Sequence, residues 1–206
     1  MNENNPHHRG ARLYDLNIRL PVISTIRKQE ARAVGDLIGK YAEAGCRALE
    51  VGPGTGYYTL MLARMFREVL VVEDSAQMAG LLRQKLSLAG ATNVEVLNSD
   101  FHSLSLDGGF DVAVAVGVLD YVSDPKAFIE RMCAAASRAV IFTVPQRGFW
   151  GACFAAGGRL RKIRVYRCQH CAPASWAPEW RCTTAEVGLK TLLTKGLTLV
   201  TALEAP

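Results

Sequence analysis

The stretch Leu49-Glu50-Val51-Gly52-Pro53-Gly54-Thr55-Gly56 decides the fold, because a short apolar run leads directly into three alternating glycines. The run is typical of a buried strand, and the residues that follow it have the apolar spacing of a helix. Glycines at such a turn permit backbone conformations, and a close approach of a ligand, that a Cβ atom would prevent. The stretch therefore predicts a ligand-binding turn between a strand and a helix.

The glycine pattern differs from two common nucleotide-binding motifs. Tyr57 stands where the dinucleotide fingerprint G-x-G-x-x-G has its third glycine. The stretch also lacks the Lys-Ser/Thr pair with which a phosphate-binding P-loop ends. A dinucleotide site and a P-loop are therefore both disfavoured.

Strand-like and helix-like runs alternate on both sides of this turn. Short Val/Leu-rich runs predict five strands, at 46–51, 69–73, 94–98, 111–116 and 138–144. Apolar residues at three- and four-residue spacing predict helices at 57–67, 75–89 and 124–136. Ser75 and Asp124 are the expected N-caps, with Pro125 at a first helical position. The alternation predicts an α/β fold, a doubly wound and mostly parallel Rossmann-like sheet with helices on both faces.

The chain has 206 residues, which is the length of one domain, and we divide it into four segments. Residues 1–45 contain an amphipathic helix that is expected to pack on the sheet, and residues 46–144 form the core. The pattern fails over 146–182, which is expected to be a functional insert. Residues 183–206 are expected to form a C-terminal helix, opened by Thr183-Thr184-Ala185-Glu186, and a strand near 197–203.

Polar residues at the ends of the predicted strands extend the pattern of the glycine turn. Glu73 ends the second strand, where a carboxylate can accept both hydrogen bonds from a ribose diol. Asn98-Ser99-Asp100-Phe101 ends the third strand, and the run from Phe110 to Leu119 forms the fourth strand and the loop after it. With the E-x-G-x-G-x-G motif, these features resemble the class I S-adenosylmethionine-dependent methyltransferases of the small-molecule type. The resemblance covers roughly residues 46–144, with a weaker match over 183–203.

The resemblance implies S-adenosylmethionine as cofactor and S-adenosylhomocysteine as product. It places Asp100 on the adenine amino group, Phe101 beside the ring, and the end of the fourth strand under the methionine part. Residues 1–45, including Tyr14, would form a lid over the cofactor. The complete set of cofactor-binding residues that we expect is Tyr14, Glu50, Gly52, Pro53, Gly54, Thr55, Gly56, Glu73, Asp74, Met78, Asp100, Phe101, Gly117 and Val118.

The chain departs from the family pattern at two places. The pattern yields a sixth strand but no seventh, so the family's usual last antiparallel strand is expected to be missing. Asp120 stands where many small-molecule relatives carry a histidine. A carboxylate there could orient or deprotonate a nucleophile, and Tyr121 is the second catalytic candidate. The alternative interpretations are a loop-capping aspartate and a half-buried ring.

The insert carries the positive charge of the chain. Between residues 146 and 182 there are seven Arg or Lys residues against Glu179 alone, interspersed with aromatic residues. Guanidinium groups suit carboxylates and phosphates, so the insert predicts a small, acidic methyl acceptor. The expected substrate-binding residues are Trp150, Arg161, Arg164 and Tyr166. The alternative is a peripheral membrane contact through 157–167.

Charge, apolar run length and cysteine spacing make several other classes of protein less favoured. The net charge of +5 is too small to imply a nucleic-acid partner, and Gly117-Val118-Leu119-Asp120 replaces the Asn/Asp-Pro-Pro-aromatic motif of nucleic-acid amino methyltransferases. No apolar run has the length of a membrane span or of a secretion signal, so we expect a cytoplasmic protein. Cys168 and Cys171 have metal-knuckle spacing without a matching second pair, so no metal site is predicted. The oligomeric state stays open, as do two other functions: an RNA or protein methyltransferase, and an inactive cofactor-binding or partner module.

Overall fold

The computed structural model describes residues 21–145, 179, 181–187 and 198–205. Helices separate β1 from β2, β2 from β3 and β4 from β5, as the apolar pattern predicts, and a loop without a helix joins β3 to β4. In chain order the elements are α1 Pro21–Tyr41, β1 Arg47–Val51, α2 Tyr57–Met65, β2 Glu68–Glu73, α3 Ala76–Leu88, β3 Val94–Asn98, β4 Phe110–Ala115, α4 Pro125–Ala135, β5 Ala136–Pro145, β6 Arg181–Val187 and β7 Thr198–Glu204. A short 3₁₀ turn, Leu119–Tyr121, follows β4.

The strands form one sheet with the order β3-β2-β1-β4-β5-β7-β6. Strands β1 to β5 are parallel to one another, and β7 runs antiparallel to both β5 and β6. The chain order reverses at β1, where Leu49 pairs with Leu70 of β2 on one side and with Ala113 of β4 on the other. In open α/β sheets the crevice for ligands opens beside such a reversal, at the carboxyl ends of the strands.

Two expectations for the C-terminal part are wrong. The described residues form seven strands of one sheet, and β7, at the position of the strand expected near 197–203, is the antiparallel strand between β5 and β6 that was expected to be missing. The start of the expected C-terminal helix, residues 183–187, is instead part of β6. The capping-box pattern at Thr183 is a local signal, whereas β6 pairs with β7 along its whole length, from Arg181 opposite Glu204 to Val187 opposite Thr198. This distant pairing satisfies the backbone groups of β6 in a way that no local pattern reports.

Each face of the sheet has its own core. Helices α1, α2 and α3 cover one face with fully buried side chains such as Val34, Leu62 and Leu82. Helix α4 covers the other face with Ile129 and Met132. The two predicted N-caps are confirmed, because Ser75 Oγ accepts from Met78 N at 3.4 Å and Asp124 Oδ1 accepts from Ala127 N at 3.1 Å. Pro125 opens α4 as expected.

Helix α1 packs on the sheet and against α2, as its amphipathic pattern predicts. Gly35 and Gly39 lie one turn apart, and a Cβ at Gly35 would lie 3.4 Å from the sulfur of Met61. The small glycines therefore let the two helices approach closely. At the end of α1, the Tyr41 hydroxyl donates to Glu204 Oε1 at 2.7 Å, which ties the helix to β7.

Candidate functional site

The glycine turn lies at the carboxyl end of β1. Gly52, Gly54 and Gly56 all have positive φ, at 67°, 56° and 73°. A Cβ at Gly52 would lie 2.6 Å from Val118, and one at Gly56 would lie 2.3 Å from Leu82, so both glycines allow close packing. A Cβ at Gly54 would meet nothing within 4 Å. The backbone at Gly54 therefore faces open space, where a ligand could approach it.

Buried side chains fix the two ends of this turn. Glu50, which is 3% exposed, accepts a 2.5 Å hydrogen bond from Thr59 Oγ1 in the first turn of α2. Burial raises the pKa of Glu50 to about 7, against the opposing effects of the Thr59 hydrogen bond and the charge of Lys85. Lys85 Nζ donates to the carbonyl oxygen of Thr55 at 2.7 Å. The turn is thus anchored from β1 and from α3.

Glu73 lies at the carboxyl end of β2 and is 7% exposed. Burial raises its pKa to about 8, although hydrogen bonds from the backbone N–H groups of Ser75 and Gly54 act in the opposite direction. The bond from Ser75 N to Glu73 Oε1 is 3.0 Å long. The structure therefore brings a poorly solvated carboxylate next to the open backbone of Gly54. Such a group can accept hydrogen bonds from a hydroxylated ligand.

Asp100 and Phe101, which follow β3 and were both expected to contact the adenine, lie in different surroundings. Asp100 is exposed, and its Oδ1 accepts from His102 N at 2.9 Å. Phe101 is only 4% exposed, with its ring 5.1 Å from that of Phe128 on α4. The Arg131 guanidinium lies 5.2 Å from the centre of the same ring. The Phe101 side chain therefore belongs to the core under α4, while Asp100 stands at the sheet edge.

The loop after β4 lies beside the glycine turn. Gly117 has a φ of 71°, and its N–H donates to Thr143 Oγ1 on β5 at 2.8 Å. Val118 packs against Gly52, and the 3₁₀ turn then carries Asp120 and Tyr121. Burial raises the pKa of Asp120 to about 6. A half-buried carboxylate with this pKa is charged at neutral pH and can still accept a proton.

The structure describes only some of the other residues that were expected at the site. Pro53 is buried in the glycine turn, Asp74 is exposed after β2, and Met78 N donates to the Ser75 cap in the first turn of α3. The remaining expected residues lie outside the described residues; they are Tyr14, Trp150, Arg161, Arg164 and Tyr166, together with Cys168 and Cys171. The described site thus unites the glycine turn, Glu73 and the loop that carries Asp120.

Four side chains that hold these parts in place were not predicted from the sequence. Thr59, Lys85 and Thr143 act through contacts between elements, for which the sequence has no local signal. Glu30 is different, because it is only 6% exposed and stands, in the sequence, four residues after Ile26 and four before Val34, which is the spacing of one helix face. A charged residue within an apolar stripe was therefore a readable signal.

Three further observations bear on other kinds of site. A cavity of about 330 Å³ lies between the loop 102–106 and the end of α4, and no residue of the glycine turn lines it. Within the described parts of the chain, no three His, Cys, Asp or Glu side chains cluster to hold a metal ion. None of the helices in those parts is long and apolar enough to cross a membrane.

Comparison with known proteins connects this site to an enzyme family. Residues 48–139 match the family model described as a methyltransferase domain. A protein-L-isoaspartate O-methyltransferase of Rhodopseudomonas palustris (strain BisB5) is 36% identical over 84 residues, which are 40% of this chain and 39% of that protein. A ribosomal RNA small subunit methyltransferase A of Desulforapulum autotrophicum is 34% identical over 77 residues, which are 36% of this chain and 27% of that protein. The chain thus spans well under half the length of these curated relatives.

Solved structures extend the similarity to most of the chain. The magnesium protoporphyrin IX methyltransferase of Synechocystis PCC 6803, solved with bound SAH, superposes with a TM-score of 0.70 at 18% identity, covering 91% of this chain and 88% of that one. The N-methyltransferase NodS of Bradyrhizobium japonicum WM9 gives 0.67 at 14% identity, covering 88% and 97%. The match to the methyltransferase domain model covers residues 48–139, and the chain as described has the fold of the class I S-adenosylmethionine-dependent methyltransferases.

Proposed function

We propose that this protein is a methyltransferase that uses S-adenosylmethionine and releases S-adenosylhomocysteine. The observation that carries the proposal is the proximity of Gly54 to Glu73. The solvent-facing backbone of Gly54 and a buried carboxylate lie side by side at the carboxyl edge of the sheet, that is, where the parallel strands end. A Cβ at position 54 would occupy the space into which a ligand would fit. The family match and the folds of the related structures support the same conclusion.

The chain's own residues suit the parts of this cofactor. Glu73 would accept hydrogen bonds from the ribose hydroxyls, and the exposed Asp100 would accept from the adenine amino group. The glycine turn, Gly117 and Val118 would surround the methionine part. The cofactor supplies a methyl group that is activated by a positively charged sulfur. The protein therefore needs mainly to orient the acceptor and exclude water.

Asp120 is the residue that we propose as the general base. It follows β4 on the loop beside the glycine turn, and at neutral pH most of this group is ionised because its pKa is about 6. It could take a proton from an O–H or N–H nucleophile as that atom accepts the methyl group. Tyr121, in the same 3₁₀ turn, is the second proposed catalytic residue.

We propose a small acidic molecule as the methyl acceptor. The sequence of the insert 146–182 supports this, since its seven Arg or Lys residues and its aromatic residues suit a negatively charged, partly apolar ligand. Trp150, Arg161, Arg164 and Tyr166 are the proposed contacts. Residues 1–45 are the proposed lid, with Tyr14 in it, and the whole chain is one domain in this proposal.

A binding experiment tests the cofactor part of the proposal. Titration calorimetry of the purified protein with S-adenosylhomocysteine should give a dissociation constant in the low micromolar range, roughly 8 kcal/mol of binding free energy. A folded protein that binds neither S-adenosylhomocysteine nor S-adenosylmethionine would refute it. Methyl transfer is tested separately, with labelled S-adenosylmethionine and an extract of the source cells.

The second candidate function is methylation of a macromolecule. The names of two relatives favour it, because one is a protein-L-isoaspartate O-methyltransferase and the other a ribosomal RNA methyltransferase. The extract labelled above is therefore divided into small-molecule, protein and RNA fractions. Label in the small-molecule fraction supports our proposal, and label in protein or RNA supports the second candidate. Binding without transfer to any fraction supports an inactive cofactor-binding module.

A further inference from the structure

A buried carboxylate on α1 contacts the helix that follows the glycine turn. Glu30 is 6% exposed, and its Oε1 accepts a 3.2 Å hydrogen bond from the hydroxyl of Tyr58. Tyr58 is itself 8% exposed and is the second residue of α2. Burial of a carboxylate is costly unless the group is hydrogen-bonded, so the position of Glu30 is coupled to that of the Tyr58 hydroxyl.

Tyr58 and its neighbour Thr59 connect the first turn of α2 to two carboxylates. Tyr58 donates to Glu30 of α1, and Thr59 donates to Glu50 of β1. Both donors follow Gly56, the last glycine of the turn, within three residues. The beginning of α2 is therefore held from the leading helix and from the sheet together.

The glycine turn depends on such anchors for its shape. Its three glycines have positive φ, and glycine has more conformational freedom to lose on folding than any other residue. Within and beside the turn, Gly52 N–H bonds to Val72 O, and Gly56 N–H bonds to Pro53 O. A shift of the first turn of α2 would move Gly56, and with it the backbone that faces the ligand.

We propose that Glu30 is a positioning residue for the glycine turn, acting through the hydroxyl of Tyr58. The inference rests on the proposed function, because its measurable consequence is the affinity for the cofactor. Helix α1 then does more than cover the sheet: its buried carboxylate sets the geometry of the site. A contact that only holds α1 in place would contribute to stability without affecting ligand affinity.

The chain offers a matched control on the same helix. Tyr41 also donates its hydroxyl to a glutamate, at 2.7 Å from Glu204, and this bond also ties α1 to another element. Positions 30 and 41 are eleven residues apart, about 16 Å along a helix. The Tyr41→Phe variant therefore removes the same kind of bond far from the glycine turn.

The experiment compares Tyr58→Phe with Tyr41→Phe by titration calorimetry with S-adenosylhomocysteine and by thermal unfolding without ligand. We expect Tyr58→Phe to raise the dissociation constant about fivefold or more, whereas Tyr41→Phe changes it less than about twofold. Both variants should lower the unligated Tm by similar amounts. Glu30→Gln, which keeps an acceptor oxygen, should retain more affinity than Glu30→Ala. In the Glu30→Ala/Tyr58→Phe double variant, the loss of affinity should be clearly smaller than the sum of the two single losses.

Equal affinities of wild type, Tyr58→Phe and Glu30→Ala would overturn the inference. So would equal losses of affinity in Tyr58→Phe and Tyr41→Phe, since these would reflect general loosening of α1. Failure of the proposed function would look different, because the wild-type protein itself would not bind S-adenosylhomocysteine.

Discussion

The two edges of the sheet hold their acidic residues in opposite electrostatic states. At the carboxyl edge, burial raises the pKa values of Glu50, Glu73 and Asp120 to about 7, 8 and 6. At the amino edge, where the parallel strands begin, a hydrogen bond from Arg138 lowers the pKa of Glu43, and one from Lys40 lowers the pKa of Glu204. The same type of side chain is thus poorly solvated at one edge and paired with a cation at the other.

This difference in pKa indicates which acidic residues stabilise the fold and which are available to a ligand. A paired surface carboxylate adds modestly to stability and has little left to offer a ligand. A buried carboxylate with a raised pKa costs stability at neutral pH, so its retention points to a use at the site. A change at the carboxyl edge is therefore compared with a matched change at the amino edge for the glycines, for the acids of β4 and for the affinity effect of Glu73. The stability of Glu73→Gln and the effect of Glu204→Gln each test one edge alone.

The largest effect is expected from Gly54→Val, compared with Gly45→Val. Both glycines have positive φ, at 56° and 92°, and neither would place a Cβ within 4 Å of other atoms. Each substitution should cost about 1–2 kcal/mol of stability through backbone strain. Only Gly54→Val should also weaken S-adenosylhomocysteine binding, by about 100-fold or more, in titration calorimetry. Similar affinities of the two variants would mean that the ligand lies elsewhere.

The second effect concerns the two acids at the ends of β4. Asp120→Asn should lower kcat about 100-fold at pH 8 without changing S-adenosylhomocysteine affinity, because it removes the proposed base. The wild-type rate should rise with pH through about 6, the pKa of Asp120. Asp111→Asn is the control, since Asp111 accepts from Arg47 N at the amino edge. The assay uses the acceptor found by labelling, and an unchanged kcat in Asp120→Asn would reduce this residue to a loop cap.

The third effect is a pH-dependent affinity that Glu73 controls. In the proposed site the ribose hydroxyls bind the charged form of Glu73, whose pKa is about 8, so binding should release a proton below that pH. S-adenosylhomocysteine affinity should rise by up to about tenfold per pH unit toward pH 8. Glu73→Gln should lower the affinity about tenfold at pH 8.5 and abolish its pH dependence. Calorimetry in buffers of different ionisation enthalpy measures the proton release, and Glu43→Gln should behave as wild type.

Stability should respond to Glu73 with the opposite sign. A folded-state pKa above the unfolded value means that the folded state binds the extra proton, so this contribution is lost as pH rises from about 4.5 to 8. Without ligand, Glu73→Gln should therefore be more stable than wild type at pH 8.5. A less stable variant would show that the carboxylate is structural.

The smallest effect is expected from Glu204→Gln at the amino edge. This change weakens the contacts with Lys40 and the Tyr41 hydroxyl, so the Tm at pH 7 should fall by a few degrees. The lowered pKa of Glu204 means that its contribution is present above the unfolded pKa and is lost as pH falls through the folded value. The variant and wild type should therefore converge in strongly acidic buffer. A change in S-adenosylhomocysteine affinity would break the contrast between the edges.

Much of the fold could be predicted because its signals are local. The five parallel strands lie within two residues of their predicted bounds at most ends, since each is a short apolar run bounded by turn residues. Ser75 and Asp124 cap their helices with their own side chains. The strand expected near 197–203 is confirmed as β7, but its partner β6 was not predicted, because β6 is stabilised by its pairing with β7, which begins eleven residues after it.

The sequence by itself determined the glycine turn, the acids after successive strands and, through the resemblance that these motifs carry, the cofactor to expect. Only the tertiary structure decided how these groups behave. Burial in the folded chain raises the pKa values of Glu73 and Asp120. The Phe101 side chain lies in the core, and a hydrogen bond connects Glu30 with Tyr58, 28 residues further along the chain. The reason is physical: hydrogen bonding and desolvation depend on neighbours in space, and most of these neighbours are distant in the chain.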